Sequence, residues 1–194
     1  MEVKKLDQIM TKAEPVTEKN WSELVKLFEG SQECSDCWCM NHRRNPKTCP
    51  TGQTAKTALR EEIASGKAFG LLAFFKGVPA GWCAVDPVKT QVGHDYYLQS
   101  EDAGASRAWM IHCLYVDPKF RGVGISKELI QSAILFSKSN GATELLAFPI
   151  PEDSAGRFPK DVAEFSGRIS TFKKFDFKPT KRLDDFYQVL TRDL

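Results

Sequence analysis

No apolar run in this 194-residue sequence is long enough to cross a bilayer. The longest, Phe69 to Phe75, falls far short of the ~20 residues a spanning helix needs. The first residues, Met1-Glu2-Val3-Lys4-Lys5-Leu6-Asp7, lack the apolar stretch of a secretion signal. A cytoplasmic protein is therefore expected, with no membrane partner and its six cysteines reduced. A surplus of one charge is missing too. Lys and Arg total 27 against 25 acidic residues, a net charge of +2. That balance argues against a nucleic-acid binder that works by neutralising phosphates. Internal repeats and low-complexity tracts are absent, which excludes solenoids and disordered linkers. Two phosphate-binding signatures are also missing: there is no G-x-x-x-x-G-K-[ST] and no G-x-G-x-x-G.

What is present is an ordinary globular composition, 42% hydrophobic and 27% charged. A chain of this length reads as one domain, 1–194. Residues 3–10 suggest a first strand. Trp21, Leu24, Val25 and Phe28 fall at helical spacing, with Thr17 upstream as a cap and Gly30 as a stop. Residues 31–50 read as irregular and rich in cysteine. Ala55, Leu59 and Ile63 mark a second helix that Gly66 closes. A hairpin follows: Ala68 to Phe75, a Lys76-Gly77 turn, and Val78 to Val85, which Asp86-Pro87 end. Residues 88–107 and 151–163 read as inserted loops. Trp109 to Val116 is a strand, 122–139 an amphipathic helix with Ile125, Leu129, Ile130, Ala133 and Ile134 on its apolar face, and 143–150 a strand. A short helix at 166–175 and a strand at 186–190 end the pattern. This order predicts an α/β fold, a mixed sheet with helices on both faces. Lys4-Lys5 and Arg43-Arg44 are short basic pairs that read as solvated surface.

The informative segment runs from Leu114 to Lys127. A strand ends at Val116, Asp117-Pro118 stop it, and a helix starts in a turn that holds Gly122 and Gly124. The first amides of a helix lack internal partners, and its dipole adds positive potential there. Glycines let a phosphate approach the backbone closely. Arg121 and Lys127 add charge. Together these make a pyrophosphate site.

The stretch V-D-P-K-F-R-G-V-G-I-S-K-E-L-I (116–130) resembles the acetyl-CoA motif of the GNAT N-acetyltransferases, R/Q-x-x-G-x-G/A after a strand ending in Val-x-Pro. Arg121, Gly124 and Ser126 occupy its fixed places, with Ser126 departing from Gly or Ala. The element order from about residue 15 to 194 is similar as well. C-W-C-M (37–40), G-L-L-A-F-F-K-G-V-P-A-G-W-C-A-V (70–85) and F-S-G-R-I-S-T-F-K-K-F-D-F (165–177) are similar to one bacterial subgroup of the family. The resemblance implies the GNAT fold, with a mostly antiparallel central sheet and a V-shaped opening between strands 109–116 and 143–150. It implies that acetyl-CoA, the cosubstrate, lies in that opening. Its pantetheine would pair along Leu114, Tyr115 and Val116, and its pyrophosphate would rest on Gly122, Val123, Gly124, Ile125, Ser126 and Lys127 beside Arg121. Phe172 would face the cofactor. An amine, taken to be that of a small molecule, would attack the thioester directly, and no metal is required.

Two proton transfers need owners. A lysine-like amine, with a pKa near ~10.4, is almost wholly protonated at neutral pH, so a base helps. Family members often carry a Glu four residues before Leu114, and here that place is Met110. His112 shares strand parity with 110, 114 and 116, and an imidazole suits the task. It reads either as a base or water relay or as a core histidine. Asp95, Tyr96, Glu101 and Asp102 are rivals. The usual family acid, a Tyr, falls at Phe172, and Asp176 replaces a Gly. Tyr115 and Tyr187 are weak alternatives. CoA, with a thiol pKa near ~8.5, leaves fairly well without an acid.

Cys34, Cys37, Cys39 and Cys49 surround His42, but a second C-x-x-C is missing, so zinc is a secondary reading. An acyl-cysteine route through Cys113 or Cys37 is a further alternative. It is weakened because strand parity places Cys113 opposite His112. Trp38, Tyr96 and Tyr97 sit in irregular segments and are candidate walls of an acceptor pocket. The rival overall readings are a CoA-binding protein with little turnover and a zinc or thiol module on Cys34–Cys49. A homodimer is the common assembly for such chains.

Overall fold

The computed structural model describes residues 11–43, 51–90, 107–150, 165–182 and 188–194. Within them lie seven strands: β1 (Thr11–Pro15), β2 (Gly70–Phe75), β3 (Val78–Pro87), β4 (Ala108–Val116), β5 (Glu144–Ala147), β6 (Lys178–Arg182) and β7 (Gln188–Asp193). The helices are α1 (Trp21–Glu29), α2 (Gln32–Cys37), α3 (Gly52–Ala64), α4 (Ile125–Ser139) and α5 (Ile169–Phe172). The strands form one sheet in the order β1-β2-β3-β4-β5-β7-β6. Only β4 and β5 run parallel; the other neighbours are antiparallel.

Each face of the sheet buries its own core. On one face α4 lays Ile125, Leu129, Ile130, Ala133 and Ile134 against Leu71, Ala73, Cys83 and Val85, joined by Phe172 of α5. On the other, Trp21, Leu24, Leu27 and Phe28 of α1, Cys34 of α2 and Leu59 of α3 close over Leu72, Trp82, Ala84 and Tyr115. The period-2 alternation of β3 sends 82 and 84 one way and 83 and 85 the other. Gly81 lets α4 approach the sheet closely: a Cβ there would lie 2.7 Å from Ile125 Cγ2 and 2.9 Å from the Tyr115 carbonyl.

Several sequence expectations change. The first described strand is 11–15, and residues 3–10 lie outside the described residues. Asn20, not Thr17, stands at the start of α1, where its Oδ1 accepts from the Thr17 amide at 2.8 Å. Part of the supposedly irregular 31–50 segment is helix α2, because Ser31 caps it by accepting from the Cys34 amide. The helix after the Gly-rich turn starts at Ile125 rather than 122, since Gly122 and Gly124 take left-handed conformations no helix interior holds. The strand expected at 143–150 is regular only over 144–147. The strand β6 was not anticipated, its Pro179 masking the pattern. Asp86-Pro87 do not end β3, which runs through Pro87. Asp86 is buried there by an ion pair that periodicity does not show.

Candidate active site

The register of β3 against β4 is broken once. Ala84 faces Cys113 and Val85 faces Ile111, so His112 is the extra residue of a β-bulge. The parallel pairing of β4 with β5 covers Ala108 to Ile111 and ends there. From His112 onward β4 has no second strand partner among the described residues. The regular pairing of β4 with β5 therefore ends just before the bulge, and the edge at Leu114 to Val116 has no strand on that side among the described residues.

Beyond that edge, Asp117 caps a turn of 3₁₀ helix at Pro118–Phe120 by accepting from the Lys119 amide at 2.9 Å. Gly122 and Gly124 follow at φ of 85° and 97°, where a side chain would be strained. An added Cβ at either would meet nothing within 4 Å, so these glycines face open space rather than a packed neighbour. The ladder of α4 begins when Lys127 and Glu128 donate to the Gly124 carbonyl. The amides ahead of it sit at the positive end of a 15-residue helix. Arg121 and Lys127 flank the turn, with Arg121 Nε reaching the Val116 carbonyl at 3.4 Å. The donor set fits a pyrophosphate.

The bulge also overturns the parity argument. Met110 packs with Val88, Leu146 and Val189, whereas Leu114 faces the α4 core. The His112 side chain is 1% exposed and turns toward Asp86 and His42. Cys113 points the same way, not the opposite way, because its thiol donates to Cys39. His112 Nε2 lies 2.5 Å from Asp86 Oδ2. Arg43 grips the same carboxylate through Nη1–Oδ1 at 2.8 Å and Nη2–Oδ2 at 2.6 Å. The Phe69 amide donates to Oδ1 at 2.8 Å. Burial alone would push the Asp86 carboxyl up, but the Arg43 charge and the His112 hydrogen bond outweigh it and hold it below the usual range. Arg43 is thus no solvated surface residue: its side chain is 3% exposed. The His42 ring meets the His112 ring edge-on at 5.1 Å. Burial and the nearby charges of His112 and Arg43 push His42 down to about 3.

The cysteines differ from one another. Cys39 accepts from Trp82 Nε1 at 3.3 Å. The hydrogen bond from Cys113 lowers Cys39 to about 6 against the effect of burial. Cys113, as that donor, and Cys83, by burial, are pushed well up. Burial raises Cys34 to about 12. Cys34, Cys39, Cys83 and Cys113 are in no disulfide, and Cys49 lies outside the described residues. Among the described residues no group of three His, Cys, Asp or Glu is arranged to hold a metal ion, and no helix is long and apolar enough to cross a membrane.

The other expected site residues scatter. Trp38 is a core residue, not a pocket wall: it is 2% exposed, with ring centroids of Phe28 and Trp21 at 5.2 and 6.0 Å. Tyr96 and Tyr97, like the rivals Asp95, Glu101, Asp102 and Tyr187, lie outside the described residues. Phe172 is fully buried, edge-on to Phe177 at 5.2 Å. Tyr115 turns away from Leu114, and burial pushes its phenol up to about 12, which makes it a poor acid. Sequence reasoning missed Asp86 and Arg43. The one signal was an Asp inside an otherwise apolar strand.

The model of the acetyltransferase (GNAT) family matches residues 35–158, and the chain belongs to that family. The solved structures agree on the fold. A GCN5-related N-acetyltransferase from Kribbella flavida superposes with a TM-score of 0.61 at 12% identity, covering 96% of this chain and 99% of its own. An N-acetyltransferase from Staphylococcus aureus Mu50 gives 0.55 at 15%, covering 94% and 98%. YncA from Salmonella typhimurium, solved with its cofactor acetyl-CoA, gives 0.56 at 10%, covering 95% and 94%. Among curated proteins nothing matches.

Proposed function

We propose that this chain transfers an acetyl group from acetyl-CoA to the amine of a small molecule by direct attack. The turn at Arg121–Lys127 carries the reading: two left-handed glycines open onto empty space at the head of α4, beside an edge of β4 that has no second strand partner among the described residues. Gly122, Val123, Gly124, Ile125 and Ser126 would receive the pyrophosphate, helped by Arg121 and Lys127. Leu114, Tyr115 and Val116 would line the pantetheine through their backbone. The thioester would then reach the bulge at His112, where the strands part. Acetyl-CoA bound to YncA supports the choice of donor. The chain would work as one domain, in the cytoplasm, alone or as a homodimer.

A second reading, a CoA-binding protein with little turnover, is favoured by Met110 and Phe172. Both are buried and neither carries a proton at the places where the family usually keeps its base and acid.

Calorimetry with acetyl-CoA on wild type and Gly124→Glu tests the donor site. The wild type should bind in the micromolar range. The substitution places an anion where the pyrophosphate charge would lie and should abolish binding. Failure of the wild type to bind would remove the reading. Turnover with a panel of amines then separates the enzyme from the silent binder.

A further inference from the structure

We propose that Asp86 is a positioning residue that fixes the tautomer of His112, so that His112 Nδ1 is the atom that takes the proton from the acceptor amine. The inference rests on the acetyl-transfer reading and names its proton acceptor.

An ionised carboxylate can only accept hydrogen bonds. Arg43 pairs with both oxygens of Asp86 and the Phe69 amide donates to one of them. The group that meets Oδ2 at 2.5 Å, His112 Nε2, must therefore be the N–H. In a neutral imidazole the other nitrogen is then a bare lone pair. Nδ1 is buried and has no hydrogen-bond partner among the described residues, an arrangement that native interiors rarely leave unused. His112 is the bulge residue of β4, just beyond the end of the pairing with β5, which is where the donor site would lead. The charged and titratable groups around it are Asp86 of β3, Cys113 of β4, and Cys39, His42 and Arg43 of the segment after α2. Glu62 of α3 acts on Arg43 from further out, and Cys83 lies on the far face of β3. The positive charge of Arg43 is already matched by Asp86. His42 stays neutral near pH 7.

Nδ1 takes one proton from the ammonium over one water. The freed lone pair forms the C–N bond at the thioester carbon. The C–S bond breaks with its electrons on the CoA sulfur, which takes up the second amine proton. The proton on Nδ1 returns to solvent. During that time the Nε2–H bond to Asp86 stabilises the imidazolium.

Asp86→Asn isolates the role. Its Oδ1 can still accept from Arg43 and Phe69, but its amide N–H₂ would face Nε2 and force the proton onto Nδ1. Long-range ¹⁵N spectra should show Nε2–H and bare Nδ1 in the neutral wild-type ring, and the reverse in Asp86→Asn. The substitution should lower kcat about 100-fold or more and remove the acid limb of its pH profile, while acetyl-CoA affinity stays within about twofold. If Asp86→Asn does not fold, His112→Gln, whose amide can still donate to Asp86, should show the same kinetic loss with partial rescue by added imidazole. An Nδ1–H tautomer in the wild type overturns the proposal. So do an unchanged pH profile in the variants and a wild type that binds acetyl-CoA but acetylates no amine. Loss of acetyl-CoA binding by the wild type instead overturns the donor-site reading.

Discussion

Arg43 keeps its charge inside the protein only because both Nη atoms find Asp86. Removing one member of such a pair leaves the other charged and unmatched. Arg43→Ala should therefore lower the unfolding free energy by roughly 3–5 kcal/mol, read from urea denaturation. His42 acts through pH. Its imidazole is held neutral down to about 3 in the folded chain but titrates near ~6.5 once unfolded. The unfolded state then binds the extra proton as pH falls from ~6.5 toward 3, so stability is full above that window and declines within it. Asp86 is ionised in both states between pH 7 and 5 and adds no pH dependence there. The stability from its lowered pKa is full in that window and is lost only as pH drops through and below the ordinary carboxylate range. The urea midpoint should fall between pH 7 and 5 in wild type and fall less in His42→Asn. An equal slope in both would refute the assignment.

Among elements, α4 and β3 determine whether the donor site is in place. Gly81 is the point of contact, and a methyl there would strike Ile125, Leu129 and the Tyr115 carbonyl. Gly81→Ala should cost about 1–3 kcal/mol of stability. It should also weaken acetyl-CoA binding, because Ile125 is the first residue of the helix that offers the amides. Leu135→Ala, on the exposed side of α4, should change neither quantity. The bulge at His112 acts on β4 in a similar way. One extra residue ends the alternation expected from parity and turns both His112 and Cys113 toward the segment after α2, His42 and Cys39 respectively.

At the scale of the molecule, the sheet joins both cores, with β4 touching each through Leu114 and Tyr115. A single cooperative unfolding transition is expected of one domain. Acetyl-CoA binding to the folded state should raise that stability by about 2.7 kcal/mol at a hundred times its Kd. Scanning calorimetry should show one transition that moves upward with acetyl-CoA in wild type and stays still in Gly124→Glu. Two separated transitions would argue for a second unit.

The sequence by itself determined the helix–hairpin–strand–helix order, the apolar face of α4 and the Gly-rich turn. Each of these is a local matter of period, capping or backbone freedom, written in neighbouring residues. The tertiary structure alone decided the rest. Arg43 and Asp86 are 43 positions apart, and each taken singly reads as a surface charge or a strand stop. The bulge appears only once β3 and β4 are in register. Trp38 joined the core because α2 turned it inward at a left-handed cap. Pairings over such distances depend on which elements meet, and no residue pattern along the chain records that meeting.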